Sequence, residues 1–383
     1  MKILQVAPYF PPYQGGQERH VERLTSHLRE RGHSVKVLTS DYPPEITTDD
    51  TGVVRLPVHK RVLRNPIVSP QQEKIVGLLE WADIAHTHNE HAFISNLVAM
   101  LSQRVNTRMV LTCHGQLSFG SPVSDIIEQA YNRTIGAATL RAMDKVIALS
   151  ESDKEYLSSL GTPERNIDII PNAIEQPDAP TASVVTEFEQ REGIGERDVI
   201  LFVGPIVKRK SPETLLRAMA HVRDTHPDAL AMFVGKGEYR EEIESKASSL
   251  GMEEHVRFTG FLPREELLAA YQSASVLAVP SISEGLPTTI MEGMMHKLPV
   301  VATNLGPIQD WFDQHALLVE SDPDAFAGAI RLLLSHDQMA QQLGESGADL
   351  VRSRLTWDQV ATEIMHSYKQ LVEEPSYTAK SKA

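Results

Sequence analysis

Val199-Ile200-Leu201-Phe202-Val203-Gly204 decides how this chain is organised. An unbroken apolar run closing on glycine reads as a strand buried on both faces, the kind found in parallel sheets. A helical-period segment over residues 212–223 follows, then a strand at 229–234 and a charged helix at 239–250. Further strands are expected at 256–259, 276–279 and 300–302, each separated by a helical segment. A βαβα order of this kind predicts a parallel sheet covered by helices on both faces.

The same pattern has already run once upstream. A strand at 3–7 precedes a helix at 18–30, where Val21, Leu24, Thr25 and Leu28 share one face, and Arg31-Gly32-His33 ends it. Val35-Lys36-Val37-Leu38 opens the next strand, and others are expected at 84–86, 109–113, 145–149 and 167–170. The stretch 171–180, with three prolines, reads as a linker. At 383 residues the chain is too long for one ordinary core. The expected fold is α/β, with two Rossmann-like doubly wound domains facing across a cleft.

Composition narrows the functions. With 41% apolar and 23% charged residues the chain has the make-up of a soluble globular protein. A formal net charge of −14 argues against a sequence-independent nucleic-acid binder, so no nucleic-acid partner is expected. His59-Lys60-Arg61 with Arg64 forms a small basic patch that could face anionic lipid. Cys113 is the only cysteine, which fits a reducing compartment. The N-terminal run before Pro8 is too short for a signal peptide, and no run approaches the ~18 apolar residues of a membrane span. The expected location is cytoplasmic, with at most a weak peripheral contact at the membrane's inner face.

Parallel sheets bind ligands beyond the carboxyl ends of their strands. The segments to inspect are therefore 8–16, 86–91, His114-Gly115, 204–210, Gly235-Lys236-Gly237, 260–262 and 280–287. The richest is Pro280-Ser281-Ile282-Ser283-Glu284-Gly285-Leu286-Pro287-Thr288-Thr289-Ile290-Met291-Glu292-Gly293. Proline favours a first helical turn, so a helix is expected to begin at Leu286 or Pro287. Its free N–H groups and partial positive charge suit a diphosphate. Glu284 lies just outside that start and Glu292 well inside it, so one carboxylate could reach sugar hydroxyls and the other a ribose. A capped helix bearing two solvated acids would carry the same residues. Gly15-Gly16, between a strand and a helix, allow close backbone approach to a ligand, or a mere turn. His114 follows a buried strand at the same functional edge.

These blocks together resemble the retaining GT-B glycosyltransferases, in the large family that includes phosphatidylinositol mannosyltransferases and sucrose-phosphate synthases. Glu284 and Glu292 match that family's Glu-x7-Glu element. Pro11-Pro12-Tyr13-Gln14-Gly15-Gly16 with Gly32-His33, Asp83 through Asn89, Thr112-Cys113-His114-Gly115, Ser150 and Pro171-Asn172 follow in family order. Phe258-Thr259-Gly260-Phe261, Tyr271 and Pro280-Ser281 complete the second half.

The resemblance implies an acceptor-side domain over residues 1–175, joined by a returning helix at 357–373, and a nucleotide-sugar domain over 185–356, with a flexible tail at 374–383. It implies a hexosyl transfer, with retention, from a nucleotide-diphosphate sugar to a hydroxyl of a glycan, lipid or small-molecule acceptor. His114, Glu284 and Lys210 would be catalytic. Gly16, Lys208, Arg209, Gly260, Phe261, Gly285, Leu286, Pro287, Thr288 and Glu292 would bind the donor; Gly15, Gln17, His88 and Asn89 would face the acceptor. No Asp-x-Asp pair sits at a strand end, so no metal and no cofactor beyond the sugar donor are expected. Two departures stand out. The family's Gly-Arg followed five residues later by Lys-Gly is here Gly204-Pro205 and Lys210-Ser211, and its glycine pair with glutamate is Gly306-Pro307-Ile308-Gln309.

Two alternatives carry their own residues. His86-Thr87-His88-Asn89-Glu90-His91 spells a His-x-His-x-x-His motif, and His86, His88 and His91 could hold a hydrolytic zinc. Pro205, standing where an arginine is expected, fits a protein that binds the donor without transferring it.

Overall fold

A computed structural model describes residues 1–13, 15–43, 51–62, 65–115, 130–177 and 179–373 of the protein. Gln14, Arg64 and the tail expected at 374–383 lie outside the described residues. The chain divides into two compact units: Met1–Ala173 together with the segment from Trp357 onward, and Ile174–Thr356.

The first unit is built on β1 (Lys2–Val6), β2 (Ser34–Ser40), β3 (Val53–Leu56), β4 (Val58–Val62), β5 (Asn65–Val68), β6 (Ile84–His88), β7 (Arg108–Thr112), β8 (Lys145–Ala148) and β9 (Ile167–Ile169). Seven of these form one parallel sheet in the order β3-β2-β1-β6-β7-β8-β9, while β4 and β5 pair antiparallel as a separate ribbon. The chain moves outward from β1 on one side and resumes at β6 on the other. The crevice between β1 and β6 is thus the switch point where such sheets bind ligands.

One face of this sheet is covered by the helix Gly16–Glu30 and by the helix Trp357–Glu373. Trp357, Val360, Ile364, Tyr368 and Leu371 recur at helical spacing and pack on Ile3, Ile84 and Val110 of the sheet and Leu24 and Leu28 of the first helix. Burial of each such side chain contributes ~1.5–3 kcal/mol, enough to hold a segment from the far end of the chain in this unit.

The second unit carries β10 (Val199–Val203), β11 (Leu230–Val234), β12 (Val256–Gly260), β13 (Val276–Val279), β14 (Val300–Thr303) and β15 (Leu317–Val319), in the order β12-β11-β10-β13-β14-β15. Its switch point lies between β10 and β13. Gly293 lets the helix Thr288–Met295 lie close on β13: a Cβ there would meet Leu277 Cδ2 at 2.5 Å. Gly235 has φ +141°, and a Cβ on it would fall 2.0 Å from the Gly204 carbonyl oxygen, so the ends of β10 and β11 touch through backbone alone.

Three expectations need correction. The strand expected at 84–86 runs on to His88, because His86 and His88 are buried within the sheet rather than free beyond it. Pro287 caps the helix instead of opening it; its φ of −75° and ψ of 122° are extended, and the first helical residue is Thr288. The strands β3, β4 and β5 were not foreseen, since they are short and no helix separates them.

Candidate active site

In the second unit, the turn after β10 and the loop after β13 meet. Ile282 N–H donates to the Arg209 carbonyl at 2.9 Å, tying the two segments together. Lys210 Nζ then donates to Glu284 Oε1 at 2.5 Å. Arg209 Nη1 donates to the Ser283 carbonyl at 2.6 Å and to Glu284 Oε2 at 3.2 Å. The Glu284 side chain is only 8% exposed. Burial alone would push its carboxyl up, but Lys210 and Arg209 outweigh that and hold it below the ordinary carboxylate value. Two of the expected catalytic residues, Lys210 and Glu284, therefore form one charge cluster with the expected donor residue Arg209.

The helix beside it starts uncapped. Its N-cap residue, Pro287, makes no side-chain hydrogen bond to the first turn, so Thr288 opens a helix whose N-terminal partial charge suits an anion. Leu286 and Pro287 are buried, and serve that helix start by packing. Glu292, further along, accepts from Tyr271 OH at 2.8 Å, and Tyr271 stacks on His296 with ring centroids 5.4 Å apart. Gly260 ends β12 at φ +74°, and Phe261 after it is 64% exposed. Lys208 is exposed, its ammonium 5.4 Å from the Tyr239 ring centre. Pro205, where an arginine was expected, is exposed.

In the first unit, Gly15 and Gly16 lead from β1 into the first helix, with Gly15 extended at φ −169°. Gln17 Oε1 accepts from Asn89 Nδ2 at 2.8 Å, and Asn89 Oδ1 accepts from the His114 backbone N–H at 3.0 Å. Asn89 holds φ +65°, a left-handed conformation that asparagine tolerates better than most residues. His88 Nδ1 lies 3.0 Å from His114 Nε2. Of the expected acceptor-side residues, His88 and Asn89 thus bond His114, and Gln17 bonds Asn89.

Sequence reasoning missed Gln5, His20 and Tyr368. Gln5 is fully buried and lies 2.9 Å from His88 Nε2 through its Oε1. His20 packs edge-on against His114, with centroids 4.8 Å apart. A glutamine interrupting the apolar run of β1 was the available signal.

The zinc motif does not assemble. Both His86 ring nitrogens are taken, by Tyr368 OH at 2.6 Å and Thr112 Oγ1 at 2.7 Å, while His91 turns to Glu90 at 3.7 Å. The nitrogens that do approach one another, within 4.8 Å, belong to His20, His88 and His114. Two of those are already joined by a hydrogen bond. Burial draws the His20 imidazole down to about 4 and, with His20 beside it, His86 down to about 3. Burial and neighbouring histidines take His88 and His114 well below the usual value, so all four rings are neutral at pH 7.

Of the expected basic patch, His59, Lys60 and Arg61 are exposed. Arg61 donates to Tyr9 OH at 3.1 Å and to Tyr42 OH at 2.7 Å, and lies 4.4 Å from the centre of the Tyr42 ring. Among the described residues no helix is long and apolar enough to cross a membrane.

The family described as Glycosyltransferase Family 4 matches residues 14–176, and the family described as Glycosyl transferases group 1 matches residues 184–349. A glycosyltransferase of Methanocaldococcus jannaschii is 28% identical over 395 residues, covering 97% of this chain and 99% of its own. The GDP-mannose-dependent alpha-(1-6)-phosphatidylinositol monomannoside mannosyltransferase of Mycolicibacterium smegmatis is 27% identical, covering 93% of this chain and 95% of its own. In fold, HepE of Anabaena, crystallised with UDP, superposes at a TM-score of 0.81 and 18% identity over 97% of this chain and 100% of its own. Two doubly wound sheets, a charge cluster at a helix start and matches in order along most of the chain lead to one conclusion: this protein belongs to the group 1 glycosyltransferases of GT-B architecture.

Proposed function

We propose that this glycosyltransferase moves a hexosyl group from a nucleotide-diphosphate sugar to a hydroxyl of a glycan, lipid or small-molecule acceptor, retaining the anomeric configuration and needing no metal ion. The observation that carries the reading is the pairing of Lys210 and Arg209 with Glu284 at 2.5 and 3.2 Å, beside the uncapped start of the helix Thr288–Met295. A diphosphate at that helix start draws both cations from Glu284. They offset the charge that grows as the nucleoside diphosphate departs. Arg209 supplies the forked guanidinium that Pro205 cannot, a geometry lysine does not reproduce.

Glu284, released, orients hydroxyls of the sugar, and Glu292, steadied by Tyr271, takes the ribose. His114 meets the sugar near its reacting carbon, and the Gly15-Gly16 loop approaches the phosphate. The acceptor's hydroxyl oxygen bonds to the anomeric carbon on the face from which the phosphate oxygen leaves. The breaking bond's electron pair goes to the diphosphate, whose leaving oxygen takes the acceptor's proton. No protein nucleophile is needed.

The test is a thermal-shift screen of UDP-, GDP- and ADP-sugars with and without divalent metal, followed by proton NMR of the first product formed. Retention of the donor's anomeric configuration in EDTA supports the reading. Inversion, or turnover that dies with chelation, overturns it. Pro205 favours a second reading, donor binding without transfer; a donor that binds tightly and is neither transferred nor hydrolysed would establish it.

A further inference from the structure

A buried chain of hydrogen bonds runs from the C-terminal helix to His114. Gln5 Nε2 donates to Tyr368 OH at 3.3 Å, and Gln5 Oε1 faces His88 Nε2 at 2.9 Å. His88 Nδ1 faces His114 Nε2 at 3.0 Å. Tyr368 OH also faces His86 Nδ1 at 2.6 Å, and His86 Nε2 faces Thr112 Oγ1 at 2.7 Å. Gln5, His86, His88 and Tyr368 are fully buried, so no water competes for these atoms.

With the Gln5 amide nitrogen turned to Tyr368 OH, each proton in the chain has one place. An amide oxygen only accepts, so His88 Nε2 carries the hydrogen that Gln5 Oε1 receives. A neutral His88 then has a bare Nδ1, which takes the Nε2–H of His114. A neutral His114 is left with a bare Nδ1, for which no partner occurs among the described residues. On the other branch Tyr368 OH receives from Gln5, so it gives its own proton to His86 Nδ1, and His86 Nε2–H goes to Thr112. The Gln5 orientation sets the polarity of the whole chain, and Tyr368 OH holds that orientation by accepting from the amide nitrogen at one end while giving its own proton to His86 at the other.

We propose that Gln5 and Tyr368 are positioning residues that lock His114 as an acceptor at Nδ1, so that the enzyme selects donor sugars presenting a hydroxyl, and not merely an oxygen, to that nitrogen. The proposal rests on the assignment of His114 to the sugar. The titratable groups facing His114 and His88 are His20, His86 and His91, with Tyr368 at the end of the chain. None is a carboxylate, so nothing in the cluster favours a charged imidazole over the neutral tautomer.

The experiment uses the full-length protein labelled with nitrogen-15 histidine. Long-range proton–nitrogen NMR at pH 7.5 should show His114 as the Nε2–H tautomer in the wild type. Gln5→Met should mix its tautomers and lower kcat by about tenfold, the worth of one misdirected hydrogen bond, with donor KM changed less than twofold. Tyr368→Phe is a second variant that keeps the ring volume and should act in the same direction. Gln5→Glu keeps an acceptor for His88 Nε2–H and should restore the tautomer, while its charge moves the acid limb of the pH–rate profile upward. O-methylating or deoxygenating the sugar hydroxyl that faces His114 should abolish the difference between wild type and Gln5→Met. A wild-type Nδ1–H tautomer, or an unchanged tautomer in both Gln5→Met and Tyr368→Phe, overturns the proposal whatever the turnover. A mixed tautomer with unchanged kcat upholds the relay and instead sinks the assignment of His114 to the sugar.

Discussion

Lys210 and Glu284, 74 residues apart in sequence, form an ion pair of 2.5 Å with both side chains largely shielded from solvent. The contact joins the turn after β10 to the loop after β13, so it spans the switch point of the second sheet. In the proposed mechanism, the lysine assigned to the diphosphate is thus held, until the donor arrives, by the carboxylate assigned to the sugar.

Lys210→Met should cost both stability and rate. Removing one partner of a shielded pair leaves Glu284 with Arg209 alone, a loss of about 3 kcal/mol in urea unfolding. Turnover should fall about 100- to 1,000-fold, as when one group stabilising transition-state charge is lost. A variant with unchanged kcat would remove Lys210 from the mechanism.

Arg209 should answer for the missing arginine. Arg209→Lys keeps the charge but loses the fork, and should weaken binding of the nucleoside diphosphate about tenfold by calorimetry, about 1.4 kcal/mol. Adding Pro205→Arg to that variant should recover most of the loss. If Arg209→Lys binds as the wild type does, the phosphates are held elsewhere.

Tyr271→Phe removes the hydroxyl that donates to Glu292 at 2.8 Å. The expected result is a several-fold rise in donor KM, about 1 kcal/mol, with kcat preserved, because the ribose takes no part in the chemistry. Glu292→Gln should act in the same direction and further. Unaltered donor affinity in both would end the ribose assignment.

Acid should destabilise the first unit through its histidines. His20 and His86 have folded values of about 4 and about 3, against roughly 6.5 unfolded. Between those limits the unfolded chain binds protons that the native chain does not, so stability falls as pH drops below about 6.5. The slope is at most about 1.4 kcal/mol per pH unit for each such histidine. Urea unfolding at pH 7.5, 6.0 and 5.0 should show the decline, and His86→Gln should make it shallower. A stability that is level across this range, or a slope indifferent to His86, contradicts the buried neutral state.

Much of this architecture was legible because it is local. Apolar runs such as Val199 to Val203 mark buried strands wherever they occur, and helical spacing at Val21, Leu24 and Leu28 marks the face that covers them. Two such series separated by prolines led to two sheets. The strand-end rule then singled out Lys210, Glu284, Asn89 and His114 before any contact was known. The short strands β3 to β5 escaped because β-branched residues in brief runs, without intervening helices, carry no period to read.

What the sequence by itself determined is the two doubly wound sheets, the strand ends of each where such sheets take ligands, and the residue types gathered there. Which of those residues share a proton or a charge was decided only by the tertiary structure. His86 and His88 stand two apart on one strand and so face the same way, which looks like half a metal site. Their partners come from elsewhere: Thr112 and His114 each 26 residues on, Gln5 83 residues back, and Tyr368 282 residues on. A hydrogen bond depends on distance in space, and the burial that makes these bonds count arises only when the last helix closes over β1 and β6. No local pattern in the sequence carries that information.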